Sequence, residues 1–96
     1  MTNLTVWKYS LNSKASQLIH MPQGAQVLTV QMQDGSPTIW ALVDPTAGLE
    51  EHIIEIHGTG DPIVSEEMGR YVGTFQDGWY VGHVFDWTAI THDNQA

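Results

Sequence analysis

The chain has 96 residues, with three Lys or Arg against eleven Asp or Glu, and its formal net charge is -8. This length allows one domain with a thin hydrophobic core. A protein that binds a nucleic-acid backbone or an anionic membrane needs several basic side chains, and Lys8, Lys14 and Arg70 are the whole supply. We therefore expect neither of those partners.

Cysteine and two kinds of apolar segment are missing from the sequence. There is no Cys, which excludes disulfides, thiolate metal sites and Cys nucleophiles. The first residues lack the basic region and apolar run of a signal peptide, and no apolar run has the roughly 18 residues of a membrane-spanning helix. We expect a soluble cytoplasmic protein without a cofactor.

The first half of the chain alternates between apolar and polar residues, which is typical of β-strands. The segments 4–9 and 17–21 are short candidates, and Pro22-Gln23-Gly24 predicts a turn after the second. The segment 26–32 places Leu28, Val30 and Met32 on one face. The segment 38–44 is apolar on both faces, which predicts a strand covered on both sides.

The second half continues the strand pattern. The segment 52–57 is a fifth strand, and 64–69 is polar enough for a loop or one helical turn. The segments 70–76 and 79–87 flank Asp77-Gly78, which predicts a β-hairpin with a type I′ turn. The fold class is therefore all-β, a single small sandwich or barrel-like domain of about seven short antiparallel strands over residues 1–90, with a frayed tail at 91–96.

Six stretches of the chain carry a more specific pattern. They are residues 20–25 (HMPQGA), 27–33 (VLTVQMQ), 37–45 (PTIWALVDP), 56–63 (IHGTGDPI), 71–76 (YVGTFQ) and 83–85 (HVF). In this order and spacing they resemble a family of small phage and prophage proteins that form a domain of unknown function. The chain departs from the pattern at Gly82, where a bulky residue is expected. The resemblance implies a phage origin and a site of action in the host cytoplasm, and it implies no catalytic residue.

The stretch Gly58-Thr59-Gly60-Asp61 has two interpretations. Glycines around a hydroxyl after a strand can form a nest of N–H groups that binds an anion. A phosphate loop also needs a Lys and a following helix, which this chain lacks, and Asp61 adds a negative charge. We favour a tight turn and keep the anion site as an alternative.

The histidines are the second candidate group. His52 and His57 lie on opposite faces of one strand and cannot be neighbouring ligands. His20, His57 and His83 converge on a metal only if the fold brings them together, which would support a metal-dependent hydrolase. His83 follows an otherwise apolar alternation, and we interpret it as a hydrogen-bonded core residue.

The acidic residues and the tryptophans complete the candidates. Asp44 precedes Pro45 at a strand end, which favours an Asx turn, and Glu50 and Glu51 are interpreted as solvated loop charges. Four Trp are many for so small a domain, and Trp is enriched at interfaces. We expect Trp40 or Trp87 in a subunit interface or binding groove.

These features favour a non-catalytic binding protein, a homo-oligomer that sequesters a host or immune-signalling molecule such as a nucleotide-derived signal. A small anionic ligand would use aromatic stacking, turn N–H groups and the few cations. The candidate residues are Trp40, His57, Gly58, Thr59, Gly60, Lys8 and Arg70. The alternatives are an acidic inhibitor or adaptor that binds a host protein, and the metal-dependent hydrolase.

Overall fold

The computed structural model describes residues 3–63 and 69–87, which form seven antiparallel β-strands. The strands are β1 (Thr5–Ser10), β2 (Ser16–Pro22), β3 (Gln26–Gln33), β4 (Ser36–Val43), β5 (Leu49–Gly58), β6 (Arg70–Asp77) and β7 (Tyr80–Asp86). The all-β prediction and the number of strands are confirmed, and several bounds move by a few residues. In these two ranges no helix is long and apolar enough to cross a membrane.

Two sheets share one core. Sheet A has the strand order β1-β4-β3, and sheet B has the order β2-β5-β7-β6. Most of the inward side chains are apolar and buried, because removing that surface from water drives the two sheets together. They are Leu11, Met21, Val27, Val30, Ile39, Ala41, Val43, Ile54, Ile56, Phe75 and Val84. The central strand β4 is buried on this inner face, whereas Trp40 and Leu42 on its outer face are half-buried.

A β-bulge in β3 changes which residues face the core. The register against β4 shifts between Val27 and Thr29, so one extra residue enters the strand. Val27 and Val30 are both buried, and Leu28 is exposed. The expectation that Leu28 shares a face with Val30 and Met32 is therefore wrong, because simple alternation fails across a bulge.

The two Asp-Gly dipeptides form different turns. Asp34 and Gly35 join β3 to β4, and both have positive φ, 51° and 81°. That is the requirement of a type I′ hairpin loop. In the second hairpin Asp77 pairs with Tyr80, so the loop is Gly78-Trp79, and only Gly78 has positive φ. The predicted hairpin is confirmed, but its type I′ turn at Asp77-Gly78 is wrong: positive φ at the first loop position alone suits a type II′ turn.

Gly82 and Phe75 fit together on the inner face of sheet B. They are cross-strand partners, and a Cβ placed at Gly82 would lie 2.5 Å from Cζ of Phe75. The phenyl ring therefore fills the space that a side chain at position 82 would need. This packing explains why the bulky residue expected before His83 is absent.

The edges of the two sheets meet between β3 and β6. Nη1 of Arg70 donates a hydrogen bond to the carbonyl oxygen of Val27 in the bulge, 2.8 Å away. A Cβ at Gly73 would lie 3.0 Å from Cγ1 of Val30, so the absence of a side chain lets the two strands approach closely. Arg70 thus joins sheet B to sheet A next to the bulge.

Two predicted segments fall outside the description. The loop or helical turn predicted at 64–69 lies, except for Gly69, outside the described residues. The tail predicted at 91–96 also lies outside them.

Candidate functional site

Lys8 and Trp40 lie together on the outer face of sheet A. They are cross-strand partners between β1 and β4, and Trp40 alternates with Ile39 and Ala41, which are buried inward. Nζ of Lys8 donates to Oε1 of Gln33 at 2.7 Å. Sequence reasoning chose these two residues separately, and the sheet places them side by side.

Arg70, another of the three basic residues, lies away from Lys8 and Trp40. Arg70 lies in sheet B and donates to Val27 in the contact between β3 and β6. Lys8 and Arg70 therefore both hydrogen-bond to β3, but near opposite ends of that strand, at Gln33 and Val27. Neither of the two depressions described below is lined by either cation.

The Gly58 to Gly60 segment is a tight turn, as predicted. The N–H of Asp61 donates to the carbonyl oxygen of Gly58 at 3.1 Å, and Gly60 has φ +89°. A positive φ at the third position suits a type II turn. The Asp61 carboxylate packs onto the turn, with Oδ2 only 2.7 Å from a Cβ placed at Gly58. A carboxylate so close to the turn opposes the approach of an anion.

His83 lies on the outer face of β7 and not in the core. The inward residues of this strand are Gly82, Val84 and Asp86, so the interpretation of His83 as a core residue is wrong. Nε2 of His83 is 2.7 Å from Oγ1 of Thr59, and Nδ1 is 2.9 Å from Oγ1 of Thr74. The Thr74 hydroxyl also contacts the Tyr71 hydroxyl at 2.6 Å. We call Thr59, His83, Thr74 and Tyr71 the hydroxyl network.

The other outward histidines are paired with carboxylates. Nε2 of His57 is 3.0 Å from Oε1 of Glu55, and its ring meets the edge of Phe85 with centroids 5.8 Å apart. His57 is the cross-strand partner of His83. His20 lies on β2, 3.8 Å from Glu51. In the described part of the chain, no three His, Cys, Asp or Glu residues are grouped so that they could hold a metal ion.

His52 forms a buried cluster with two carboxylates. Its side chain is 2% exposed, with Nδ1 at 3.1 Å from Oδ2 of Asp86 and Nε2 at 2.9 Å from Oε2 of Glu50. Burial alone lowers the pKa of His52, but hydrogen bonds and charge interaction with Asp86 and Glu50 outweigh it, and the pKa is raised above 6.5. In the protonated form both ring nitrogens donate, one to each carboxylate. We call these three residues the His52 cluster.

The His52 cluster corrects one expectation and was missed by sequence reasoning. Glu50 is not a solvated loop charge: it lies in β5, its side chain is 10% exposed, and it also accepts a hydrogen bond from the N–H of Gly24. The available signal was the spacing of Glu50 and His52, because residues two apart on a strand share a face. Asp44, in contrast, forms the predicted Asx turn, with Oδ1 accepting from the N–H and the hydroxyl of Thr46.

A groove of about 670 Å³ lies at one end of the two sheets. The β1–β2 connection, the β3–β4 hairpin, the end of β5 and the β6–β7 hairpin all contribute. Its floor is apolar, and its rim includes polar and acidic side chains. Its lining includes Leu11, Phe75, Asp61, Asp77, Trp79 and Tyr80. A second depression of about 430 Å³, lined by Gly58 and Thr59, shares Asp61, Trp79 and Tyr80 with it.

Trp79 is the most exposed large hydrophobic residue described, at 90%. It stands in the two-residue loop of the β6–β7 hairpin, with its ring edge-on to Tyr80 at 6.1 Å. The expectation named Trp40 or Trp87 for a groove or interface, and both are half-buried. Sequence reasoning missed Trp79 because it assigned this residue to the strand instead of the loop.

The fold class established by these observations is an all-β domain of seven antiparallel strands in two sheets. A family model for a domain of unknown function, DUF7352, matches residues 2–93, and the chain belongs to that family. No curated protein matches the chain, and no solved structure matches it.

Proposed function

We propose that this protein is a non-catalytic binding protein whose end groove captures a basic segment of another protein. The observation that carries the proposal is the placement of Trp79, 90% exposed, with Asp61 and Asp77 lining the same groove. The sequence resemblance supplies the proposed setting, which is the cytoplasm of a phage-infected host. In that setting the partner is a host protein.

The chemistry of the groove suits a cation. A Trp face attracts guanidinium and ammonium groups, with about 0.5–1 kcal/mol at exposed sites. An Arg that stacks on Trp79 can also donate paired hydrogen bonds to a carboxylate. Asp61 and Asp77 supply carboxylates, and no Lys or Arg is among the described residues that line the groove. The net charge of -8 increases the encounter rate with a basic partner.

A small anionic ligand fits the same end less well. Its predicted N–H donors belong to the Gly58 to Gly60 turn, where Asp61 packs against Gly58. Its predicted cations, Lys8 and Arg70, bind Gln33 and Val27. The hydroxyl network ends at the Tyr71 hydroxyl and contains no carboxylate, whereas a catalytic His generally needs a carboxylate to stabilise its cationic form. These contacts favour protein binding over nucleotide capture or hydrolysis.

The test measures binding of a fluorescein-labelled peptide of alternating Arg and Gly by anisotropy. We expect Trp79→Ala to weaken the affinity about two- to fivefold, which equals about 0.5–1 kcal/mol. Asp77→Asn should weaken it by a similar factor, and added salt should weaken the wild type because the charges are exposed. A peptide of alternating Glu and Gly should not bind.

The matched control is Glu51→Gln, which also removes one charge but lies on the outer face of sheet B, away from the groove. Equal losses for Asp77→Asn and Glu51→Gln would show attraction by net charge alone and contradict a groove site. A thermal-shift screen of adenosine and guanosine nucleotides covers the other ligand class, since a ligand of the folded state raises the melting temperature. Stabilisation by nucleotides without peptide binding would overturn the proposal.

A further inference from the structure

The strand β1 is an edge of sheet A and has a hydrogen-bonded neighbour on one side. Among the described residues β1 pairs with β4 alone. The opposite edge of sheet A, β3, is in contact with β6 through Arg70 and Gly73. An edge strand presents unpaired N–H and C=O groups, and natural proteins usually protect such edges.

The backbone groups that face outward from β1 follow from its register. The N–H of Leu11 donates to the carbonyl oxygen of Pro37 at 2.8 Å, in line with the pairing of Ser10 with Thr38 and of Thr5 with Val43. Hydrogen-bonded residues alternate along an antiparallel strand. The odd-numbered residues of β1 therefore bond to β4, and Val6, Lys8 and Ser10 direct their N–H and C=O groups to the open side.

The side chains of this strand are unusually apolar for an open edge. Within β1, Val6 is 48% and Trp7 41% exposed, and Leu4, directly before the strand, is 55% exposed. The segment contains no Pro, Gly or acidic residue that would discourage pairing, and Lys8 is its only charge. The other open edge, β2, contains His20 and ends at Pro22. The edge at β1 is therefore less protected against pairing with another strand than the edge at β2.

The distribution of charge along the chain reduces the electrostatic repulsion that would oppose the binding of a second copy at β1. Every Asp and Glu of the chain lies at position 34 or later, and Lys8 and Lys14 lie before it. Two chains of charge -8 repel each other on average. At β1, however, two copies would bring together strands without any acidic side chain. The strand thus suits another copy of itself better than most of the molecular surface does.

We propose that β1 pairs antiparallel with β1 of a second copy about a two-fold axis at Trp7. The two three-stranded sheets A then form one continuous sheet. This register places Trp7 opposite Trp7 of the second copy, and Val6 opposite Lys8 of the second copy. It uses all outward backbone groups from Leu4 to Ser10, whereas an axis at Lys8 would set two ammonium groups opposite each other. A two-fold interface is self-complementary, as pairing of identical strands requires.

The first test uses proline at an outward N–H. Val6→Pro removes one donor from the open side and leaves the bonds to β4, because edge strands accept proline where the N–H faces outward. We expect the wild type to have twice the 10.7 kDa mass of the chain in light scattering, and Val6→Pro to have the single mass. The matched control is Leu18→Pro on β2, whose N–H is also outward by the pairing of Ala15 with Ile56, and it should remain a dimer.

The second test determines the register and does not depend on proline. The chain has no Cys, so a single introduced Cys can cross-link only to its copy. Trp7→Cys should form a disulfide dimer readily, because the opposing Cα atoms would be about 4.5 Å apart. Val6→Cys alone should not, because its copy lies diagonally, about 7–8 Å away. A mixture of Val6→Cys and Lys8→Cys should cross-link.

Three results would overturn the proposal. They are a monomeric wild type up to millimolar concentration, a Val6→Pro variant that stays dimeric with native near-UV circular dichroism, and a Trp7→Cys variant that cross-links no faster than Leu18→Cys. None of these readouts depends on the groove, so failure here leaves peptide binding untouched.

Discussion

The His52 cluster and the hydroxyl network place the same side chain in two environments. In both, each ring nitrogen has an oxygen partner within 3.1 Å. His52 is buried between two carboxylates, whereas His83 is on the outer face between two hydroxyls. We therefore expect the histidine between two buried carboxylates to contribute more to stability than the histidine between two hydroxyls, although both ring nitrogens have partners in each case.

The largest effect should come from His52→Leu. Removing one partner of a buried ionic cluster costs about 3–5 kcal/mol, since Glu50 and Asp86 keep their burial and lose the cation between them. His83→Leu is the matched substitution outside the core, and an ordinary hydrogen bond such as those to the two hydroxyls contributes about 0.5–1.5 kcal/mol. Urea denaturation followed by Trp fluorescence measures both. Equal costs would show that the carboxylates make no difference.

A smaller effect should appear with pH. The raised pKa of His52 means that its stabilisation is complete below about 6.5 and is lost as pH rises through the folded-state pKa. The free energy of unfolding should therefore fall from neutral to alkaline pH. His52→Gln keeps a hydrogen-bonding side chain without the titration, and its curve should be flatter in this window. If the free energy of unfolding changed with pH equally in the wild type and in His52→Gln, His52 would not be the cause of the pH dependence.

The smallest effect should come from Thr74→Val. This nearly isosteric change removes the hydroxyl that contacts both Tyr71 and His83. At the surface, water replaces the lost partners, so we expect less than about 1 kcal/mol. Thr74→Ser retains the hydroxyl and should restore the wild-type urea midpoint. A loss as large as that of His52→Leu would mean that the hydroxyl network is as important as the buried cluster.

Much of the fold follows from local patterns. Alternation and turn residues predicted the strands. The resemblance to a domain of unknown function is confirmed by the matching family model, which is also a domain of unknown function. The errors arise where a neighbouring strand decides which side chains point into the core. Phe75 of β6 fills the inner space beside Gly82, so β7 needs no large side chain there. The inner face of β7 therefore looks less apolar in the sequence than its outer face, which carries Val81 and Phe85. The bulge at Leu28 has the same effect in β3.

The candidate site was harder to predict. The groove is assembled from four connections that are far apart in sequence, and their proximity depends on the order β2-β5-β7-β6. Local reasoning found Gly58 and Thr59 because glycines mark turns. It could not place Asp61 and Asp77 beside one exposed indole, because that requires knowing which loops share an end of the sheets.

The short loop that carries Trp79 has a consequence for the rates of the proposed binding. Asp77 and Tyr80 are paired on either side of it, so its backbone is ordered before a partner arrives. Ordering one residue costs about 1–2 kcal/mol of conformational entropy, and here folding has already supplied that ordering. Differences in affinity among variants of one interface arise mainly in dissociation. The lifetime of the complex, more than its rate of formation, should therefore report what the indole contributes.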